Sequence, residues 1–266
     1  MAGGYGFDMA TLVTPRDLAR TYSFYPDPWE VIEQYQKVIE YHARTKAGRM
    51  RIANRFEIPD ERVREWIDEE DPSIPDPLRG VQLAEKNGWI PLDSTDPMFR
   101  EFNRLVAELY SRGILYEETY RPAIFVSDDD DLDRAESLFR RVGLSTVLAH
   151  DGVRHSREVR PIDGGCVLGR VLACLGMPIG TEKSPELPEY LSDVDEVIRA
   201  EFLDQLLESR GIHWDWADQY ALVFEHRDRG FIDQLATLAR SFGEVESHDH
   251  SLLISQETRT AIVGAT

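Results

Sequence analysis

Two distant segments of the chain end in the same way. LVAELYSRG at residues 105–113 and LDQLLESRG at residues 203–211 are both apolar stretches with helical spacing that end in Ser-Arg-Gly. Each is followed by a strand-like segment and then by an amphipathic segment that runs to a glycine, Gly143 or Gly243. Self-similarity at a long, fixed spacing indicates an internal repeat. Most of the chain is therefore expected to fold as two copies of one unit.

The segments between these helices predict what each copy contains. ILYEETYRPAIFVS and IHWDWADQYALVFE have strand character, and helical segments follow them in DDDLDRAESLFRRVG and RDRGFIDQLATLARSFG. A second strand pair and a final helix complete each copy. Aspartates 128–131 fit the electropositive start of a helix, so we interpret them as capping residues. The pattern predicts an α+β fold over residues 85–266. The element order αββαββα is expected to occur twice in it, in repeats at about 99–180 and 195–266.

Four motifs, in this order along the chain, resemble those of the LAGLIDADG homing endonuclease family. They are LVAELYSRG (105–113), LGMPIG (175–180), LPEYL (187–191) and LDQLLESRG (203–211). The resemblance implies a pseudo-two-fold domain in which an acidic residue before each terminal glycine holds divalent metal for phosphodiester cleavage. In this chain both of those positions are arginine, Arg112 and Arg210.

A guanidinium group is always cationic and cannot ligate Mg²⁺. Glu208 and Asp215 lie near the second motif and Glu117 and Glu118 beyond the first, but they form no symmetric replacement pair. We therefore expect that cleavage is lost and that no cofactor is needed, Mg²⁺ being required only if the protein is an active endonuclease. The two arginines could each pair with a carboxylate such as Glu208 or Asp215, contact a DNA phosphate, or bind an anionic ligand or partner. The glycine after each is expected where two helices cross closely.

A different motif occupies the N-terminal part of the chain. A helix is predicted from Asp27-Pro28, where aspartate suits the cap and proline the first helical position. In RTKAGRMRIANRFEIPDERVREWI, the apolar spacing predicts two short helices with Ile58 in the turn and a second helix starting at Asp60. Residues 27–68 thus resemble the helix-turn-helix of DNA-binding regulators, with Glu57 near the place where that family commonly has a glycine.

The charge of the chain changes sign in this motif. Between His42 and Trp66 there are seven basic residues and only four acidic ones. The resemblance places the second helix in the major groove of DNA. The arginines expected to contact DNA are of two kinds: Arg62 and Arg64 for bases or phosphates, and Arg49, Arg51 and Arg55 for the backbone. The alternative is a three-helix packing unit whose arginines are only solvated.

The sheets of the duplicated domain provide further candidates. The family binds DNA on a saddle formed by its sheets, and the first copy has Arg154, Arg157 and Arg160 in VRHSREVR. The matching segment of the second copy, EVESHDH, is acidic and contains His248 and His250. These histidines fit a solvated hairpin better than a metal site, because no third ligand is placed beside them. An asymmetric saddle of this kind suits contacts with a partner or effector.

Composition limits where such a protein can function. The 266 residues include 30 Lys+Arg against 49 Asp+Glu, for a net charge of −19, and only four of the basic residues are lysines. This balance resembles that of cytosolic proteins of salt-in halophiles of the haloarchaeal type, and the alternative is an ordinary acidic bacterial protein. At about 1 M salt the Debye length is about 3 Å, so repulsion from nucleic acid is largely screened. With no apolar run long enough for a membrane span and no secretory signal, a cytoplasmic protein is expected.

The resulting domain plan has four parts: a flexible arm (1–26), the helix-turn-helix (27–68), a proline-rich acidic linker (69–84) and the duplicated domain (85–266). The combination resembles bacterial sporulation regulators that have the same two domains in reverse order. It implies a nuclease-inactive, sequence-specific protein that binds double-stranded DNA and regulates transcription. The duplicated domain could form a homodimer or bind a protein partner. The alternatives are an active homing endonuclease with relocated acids, an RNA-binding maturase-like protein, and an interaction scaffold.

Overall fold

The protein is an α+β protein, as the sequence predicts. A computed structural model describes residues 11–67, 72–151, 156–181, 185–214, 219–225 and 227–266. Within these residues the chain forms eleven α-helices and three small antiparallel sheets. They belong to two compact units, one of residues 14–86 and one of residues 87–266 together with a strand from residues 11–13. No helix in the described part of the chain has the length and apolarity to cross a membrane.

The unit of residues 14–86 is all helical. Its helices are α1 (Pro15–Arg20), α2 (Pro28–Thr45), α3 (Arg49–Phe56), α4 (Asp60–Ile67) and α5 (Asp76–Lys86). Helix α2 begins at the predicted place, because the Asp27 side chain accepts hydrogen bonds from the N–H groups of Trp29 and Glu30 and Pro28 takes the first position.

The connection between α3 and α4 is a tight turn at the predicted position. Glu57 adopts a left-handed conformation with φ of 56°, and its N–H donates to Ala53 O. Such a φ favours glycine, so Glu57 adopts a backbone conformation that other residues rarely take. Val63 and Trp66 of α4 are buried, and the Trp66 ring packs edge-on against Tyr35 of α2 with centroids 5.4 Å apart.

The predicted linker over residues 69–84 is wrong from Asp76 onward. Helix α5 buries Leu78, Val81 and Ala84 and packs against α1 and α2. The sequence was misleading because Pro77 lies in the first turn of a helix, where its missing N–H costs nothing, although prolines in acidic segments are typical of linkers.

The predicted flexible arm over residues 1–26 is also wrong where the structure describes it, since residues 1–10 lie outside the described part. Residues Thr11–Val13 form strand β1, which pairs antiparallel with β2 (Leu92–Asp93). Helix α1 follows, and its start is fixed by a capping box in which Thr14 and Asp17 bond to each other's backbone N–H. Elements this short produce no detectable periodicity in the sequence.

The larger unit contains one order of elements twice. The first half has α6 (Pro97–Arg112), β3 (Gly113–Leu115), β4 (Pro122–Val126), α7 (Asp129–Arg141), β5 (Thr146–Asp151), β6 (Ser156–Pro161) and α8 (Gly165–Cys174). The second half has α9 (Glu196–Arg210), β7 (Gly211–Trp214), β8 (Gln219–Val223), α10 (Arg229–Ala239), β9 (Val245–Ser247), β10 (Ser251–Ser255) and α11 (Gln256–Ala265). The strand orders correspond, β3-β4-β6-β5 and β7-β8-β10-β9.

Helices α6 and α9 pack against each other at the centre of this unit. Both are buried on most of their surfaces: Leu105, Leu109, Phe202 and Leu206 have essentially no exposure. Charged side chains of the two helices pair across this contact, where Arg100 of α6 forms an ion pair with the buried Glu201 of α9. The Asn103 amide links them by donating to Ile198 O at 2.9 Å.

The motifs LGMPIG and LPEYL lie beside α6. Gly176 and Gly180 have φ of 94° and 76°, conformations that favour glycine, and Ile179 bridges to Leu115 of β3. The Tyr110 hydroxyl of α6 donates to Glu186 O at 2.6 Å and to Gly176 O at 3.1 Å. The segment between the two halves is therefore fixed to the central helix.

Candidate functional site

The C-terminal ends of α6 and α9 meet at two Ser-Arg pairs. The Oγ atoms of Ser111 and Ser209 lie 2.7 Å apart. Arg112 Nε donates to Ser209 Oγ at 2.9 Å, and Arg210 Nε donates to Ser111 O at 2.5 Å. Each arginine thus bonds to the helix that carries the other one, so the two guanidinium groups lie at one junction.

Two carboxylates surround the Arg112 guanidinium. Glu108 Oε1 lies 3.5 Å from Arg112 Nε, and Asp131 of α7 forms an ion pair with Arg112 Nη1. Both carboxylates are largely buried, and Asp131 also pairs with Arg134. Arg112 is therefore part of a closed, charge-compensated network.

Glu108 is the most buried acid of this junction. Burial raises the pKa of its carboxyl, while the hydrogen bond from Gln205 Nε2, 2.9 Å long, and the charge of Arg112 act in the opposite direction. The carboxyl thus has a neutral donor on one oxygen and a cation beside the other. The guanidinium beside this acid would repel a divalent metal.

Arg210 has a different environment. Its Nη1 donates to Val223 O at 3.2 Å, and its guanidinium carbon lies 5.6 Å from the centre of the Phe224 ring. No carboxylate among the described residues lies within ion-pair distance of it. The pKa of Arg210 is lowered, first by burial and then by the positive charges of Arg112 and Arg227.

Of the two predicted carboxylate partners, only Glu208 lies in the described part of the chain, and it pairs with neither arginine there. Glu208 is exposed, as are Glu117 and Glu118, and Asp215 lies outside the described residues. Glu108 and Asp131 take that role. Glu108 could have been found, because it precedes Arg112 by four residues on one helix face. Asp131 could not, since only the fold brings α7 to the end of α6.

No protein-family model matches the chain, and no curated protein matches it either. The geometry of the junction and of the exposed arginines is therefore the basis for inferring function.

The glycines after the arginines are needed for a reason other than the predicted one. A Cβ atom on Gly113 would lie 2.9 Å from Ala123 O and 2.8 Å from Leu109 Cα, and one on Gly211 would lie 2.3 Å from Leu207 O. Neither nearby group belongs to the opposite central helix. The glycines allow each helix to turn directly into a strand, rather than allowing the two helices to cross.

Two of the three predicted saddle arginines lie in the described part of the chain, and both form ion pairs. Arg157 Nη2 lies 3.3 Å from Asp129 Oδ1. Arg160 forms an ion pair with the buried Glu158, and its Nη2 donates to Tyr116 OH at 3.1 Å. Arg154 lies outside the described residues. Arg157 and Arg160, the two saddle arginines that the structure describes, are therefore both paired with carboxylates.

The histidines of the second copy are used in the hairpin itself. His250 Nδ1 lies 2.8 Å from Arg227 O, and His248 Nε2 lies 3.9 Å from a Glu246 carboxylate oxygen at the surface. Among the residues that the structure describes, no group of three or more His, Cys, Asp or Glu side chains is arranged to hold a metal ion.

The arginines of the helical unit differ in accessibility. Arg51, Arg55 and Arg64 are exposed and form no ion pair with any described carboxylate, while Arg49 is half-buried. Arg62 is half-buried too, and its Nη1 donates to Gln34 Oε1 at 3.4 Å. Of the two arginines predicted for base contacts, Arg64 is thus the more accessible.

The outward face of α3 is more basic than that of α4. On α3 the exposed residues include Arg51 and Arg55, whereas on α4 Arg64 lies between the exposed Glu61 and Glu65. Arg55 stacks over the Tyr41 ring with its guanidinium carbon 4.9 Å from the centroid. Stacking on an aromatic face holds a guanidinium in place without using its hydrogen-bond donors.

Proposed function

We propose that the protein is a nuclease-inactive, sequence-specific DNA-binding protein that acts as a transcriptional regulator. The observation that supports this most is the junction of α6 and α9, where two arginines stand at the positions that hold metal-binding acids in the LAGLIDADG family. The helical unit supplies the surface for DNA, and the duplicated domain supplies a stable body.

The junction argues against metal-dependent cleavage on electrostatic grounds. A two-metal mechanism needs carboxylates that face a common open site and concentrate positive ions there. Here two guanidinium groups repel a cation, and Asp131 and Glu108 are already compensated by Arg112. Phosphodiester cleavage would therefore require acids from another part of the chain.

DNA contact through the helical unit is consistent with its exposed charges. Arg64 is the accessible arginine of α4, the helix that would enter the major groove, and a guanidinium can bond two acceptors of a guanine. Arg51 and Arg55 on α3 fit phosphate contacts. Because the whole chain has a net charge of −19, these short-range bonds must supply most of the affinity.

The direct test is selection of a binding site. Full-length protein would be incubated with a pool of random duplex DNA in about 1 M KCl, and bound duplexes would be enriched and sequenced. We expect one recurrent motif, and we expect Arg64→Ala to weaken binding to it by about 1–3 kcal/mol with relaxed preference at one position.

Arg20→Ala is the matched control. Arg20 is an exposed arginine of the same helical unit, lies 4.0 Å from Asp17 and belongs to neither α3 nor α4. The Arg20→Ala substitution removes one positive charge, as Arg64→Ala does, and is expected to leave the affinity for the motif unchanged. Enrichment of no motif, or equal losses in the two variants, would contradict the proposal.

A further inference from the structure

The two arginines of the junction occupy equivalent places in the two halves. Gly113 follows Arg112 and pairs with Ile124 on the neighbouring strand, and Gly211 follows Arg210 and pairs with Leu222. The next helix of each half has an aspartate cap, because Asp128 accepts from the N–H of Asp131 and Asp228 from that of Phe231. Residues in the two halves can therefore be matched one to one around the junction.

This matching reveals a difference in charge. Glu108 and Asp131, the two carboxylates that compensate Arg112, correspond to Leu206 and Phe231 in the second half. Leu206 precedes Arg210 by four residues, as Glu108 precedes Arg112, and Phe231 takes the helix position of Asp131. Both acids of the first half are thus replaced by buried apolar residues.

Among the residues that the structure describes, Arg210 has hydrogen-bond partners but no counter-ion within ion-pair distance. Its described partners, Ser111 O and Val223 O, are carbonyl oxygens that carry no formal charge. Glu225 and Glu108 contribute negative charges from a distance, while Arg112 and Arg227 contribute positive ones. Burial and the two nearby cations outweigh these carboxylates, since the pKa of Arg210 is lowered overall. An anion beside this partly desolvated guanidinium would relieve the remaining electrostatic cost.

We infer that Arg210 is an oxyanion site that takes a phosphodiester group of bound DNA. A guanidinium has five N–H donors, and carbonyls of the described residues accept from Nε and Nη1. The remaining donors can bond two oxygens of one phosphate. The inference depends on the proposed function, which makes DNA the ligand, and it adds a contact from the duplicated domain.

The test is the salt dependence of DNA binding. Affinity of the full chain for its selected duplex would be measured from about 0.3 to 2 M KCl for wild type, Arg210→Gln and Arg229→Gln. Each phosphate contact contributes about 0.9 to the slope of log affinity against log salt concentration. Arg229 is the control, because it is an exposed arginine of the same half that pairs with Asp233 at 2.9 Å.

We expect Arg210→Gln to reduce the slope by about one and the affinity by about tenfold at the lowest salt concentration. Arg229→Gln should change neither. Equal slopes for Arg210→Gln and wild type, with both folded, would overturn the inference while leaving the proposed function intact.

A second measurement on unmodified protein separates the two claims. The side-chain N–H resonances of Arg210, assigned by their loss in Arg210→Gln, would be followed while inorganic phosphate replaces chloride at constant ionic strength. A saturable shift is expected. A shift without any DNA binding would refute the proposed function and the assignment to DNA but leave a small-anion site. The absence of a shift, together with an unchanged slope, would refute the site itself.

Discussion

Arg112 and Arg210 occupy equivalent positions but have different interaction partners. Arg112 is held by Glu108, Asp131 and the Ser209 hydroxyl, so its charge is used inside the domain. Arg210 uses two carbonyl oxygens and stands over Phe224. The identity of the two residues is visible in the sequence, but their different surroundings depend on partners that only folding brings together.

This asymmetry predicts unequal effects on stability. Arg112→Gln leaves the buried Glu108 and Asp131 without their shared cation and should lower the free energy of unfolding by about 3–5 kcal/mol. Arg210→Gln loses two hydrogen bonds to carbonyls and the contact with the Phe224 ring but leaves no carboxylate unpaired, and it should cost about 1 kcal/mol. Denaturant unfolding of both variants at one salt concentration measures this, and equal losses would show that the two sites are compensated alike.

Glu108 predicts a pH dependence with a definite sign. Because burial raises the pKa of its carboxyl, the folded protein holds this proton to higher pH than the unfolded chain does. Its contribution to stability therefore falls as pH rises above the usual glutamate value of 4.5. Glu108→Gln keeps an acceptor for Gln205 and removes the titration.

The stability of Glu108→Gln relative to wild type should accordingly increase as pH rises from about 4 through the raised pKa. Unfolding curves at a series of pH values measure the difference directly. If the free energy of unfolding of Glu108→Gln relative to wild type stays constant or decreases as pH rises, burial does not destabilise the ionised carboxyl.

At the scale of single elements, the ends of the two central helices are the most constrained points. A side chain on Gly211 would meet Leu207 O at 2.3 Å, a backbone atom that cannot move without distorting the helix. Gly211→Ala should therefore cost about 1–3 kcal/mol, measured by thermal or denaturant unfolding.

Gly264→Ala provides the control for this prediction. Gly264 lies in α11 with no atom within 4 Å of the position that its Cβ would take. Alanine in a helix is favoured over glycine by about 0.5–1 kcal/mol, so this variant should be at least as stable as wild type. A Gly211→Ala protein as stable as Gly264→Ala would mean that the helix-to-strand junction tolerates a side chain.

The sequence predicted elements well where they are long and periodic. Helices α2, α6, α7 and α9 and the strand pairs between them lie where apolar spacing and capping residues indicated. It failed where the stabilising contact is tertiary. Helix α5 begins with an aspartate and a proline and is fixed by packing against α1 and α2, so it was predicted as a linker.

The candidate site was only partly predictable for the same reason. Arg112 and Arg210 were identified from their place before a repeated glycine, and the structure brings both to one junction. Asp131 was predicted as one of four capping aspartates, whereas Asp128 is the cap and Asp131 pairs with Arg112. No local pattern distinguishes these roles, because they depend on how α7 meets α6.

At the scale of the whole molecule, charge is the dominant property. With 49 acidic against 30 basic residues, the chain repels itself unless salt screens its surface. The midpoint of thermal unfolding should therefore fall when KCl is reduced from about 2 M to about 0.1 M. Scans at intermediate concentrations measure the trend, and a midpoint independent of KCl would show that surface repulsion is already compensated within the fold.

DNA binding and DNA cleavage can be assessed in one experiment on the whole protein. The selected duplex would be incubated with full-length protein, Mg²⁺ or Mn²⁺ and about 1 M KCl, then run on a native gel and, in parallel, on a denaturing gel. A shifted band that contains two intact strands is the predicted result. A metal-dependent cut strand, or the absence of any shifted band, would contradict the proposal that the protein binds DNA and does not cleave it.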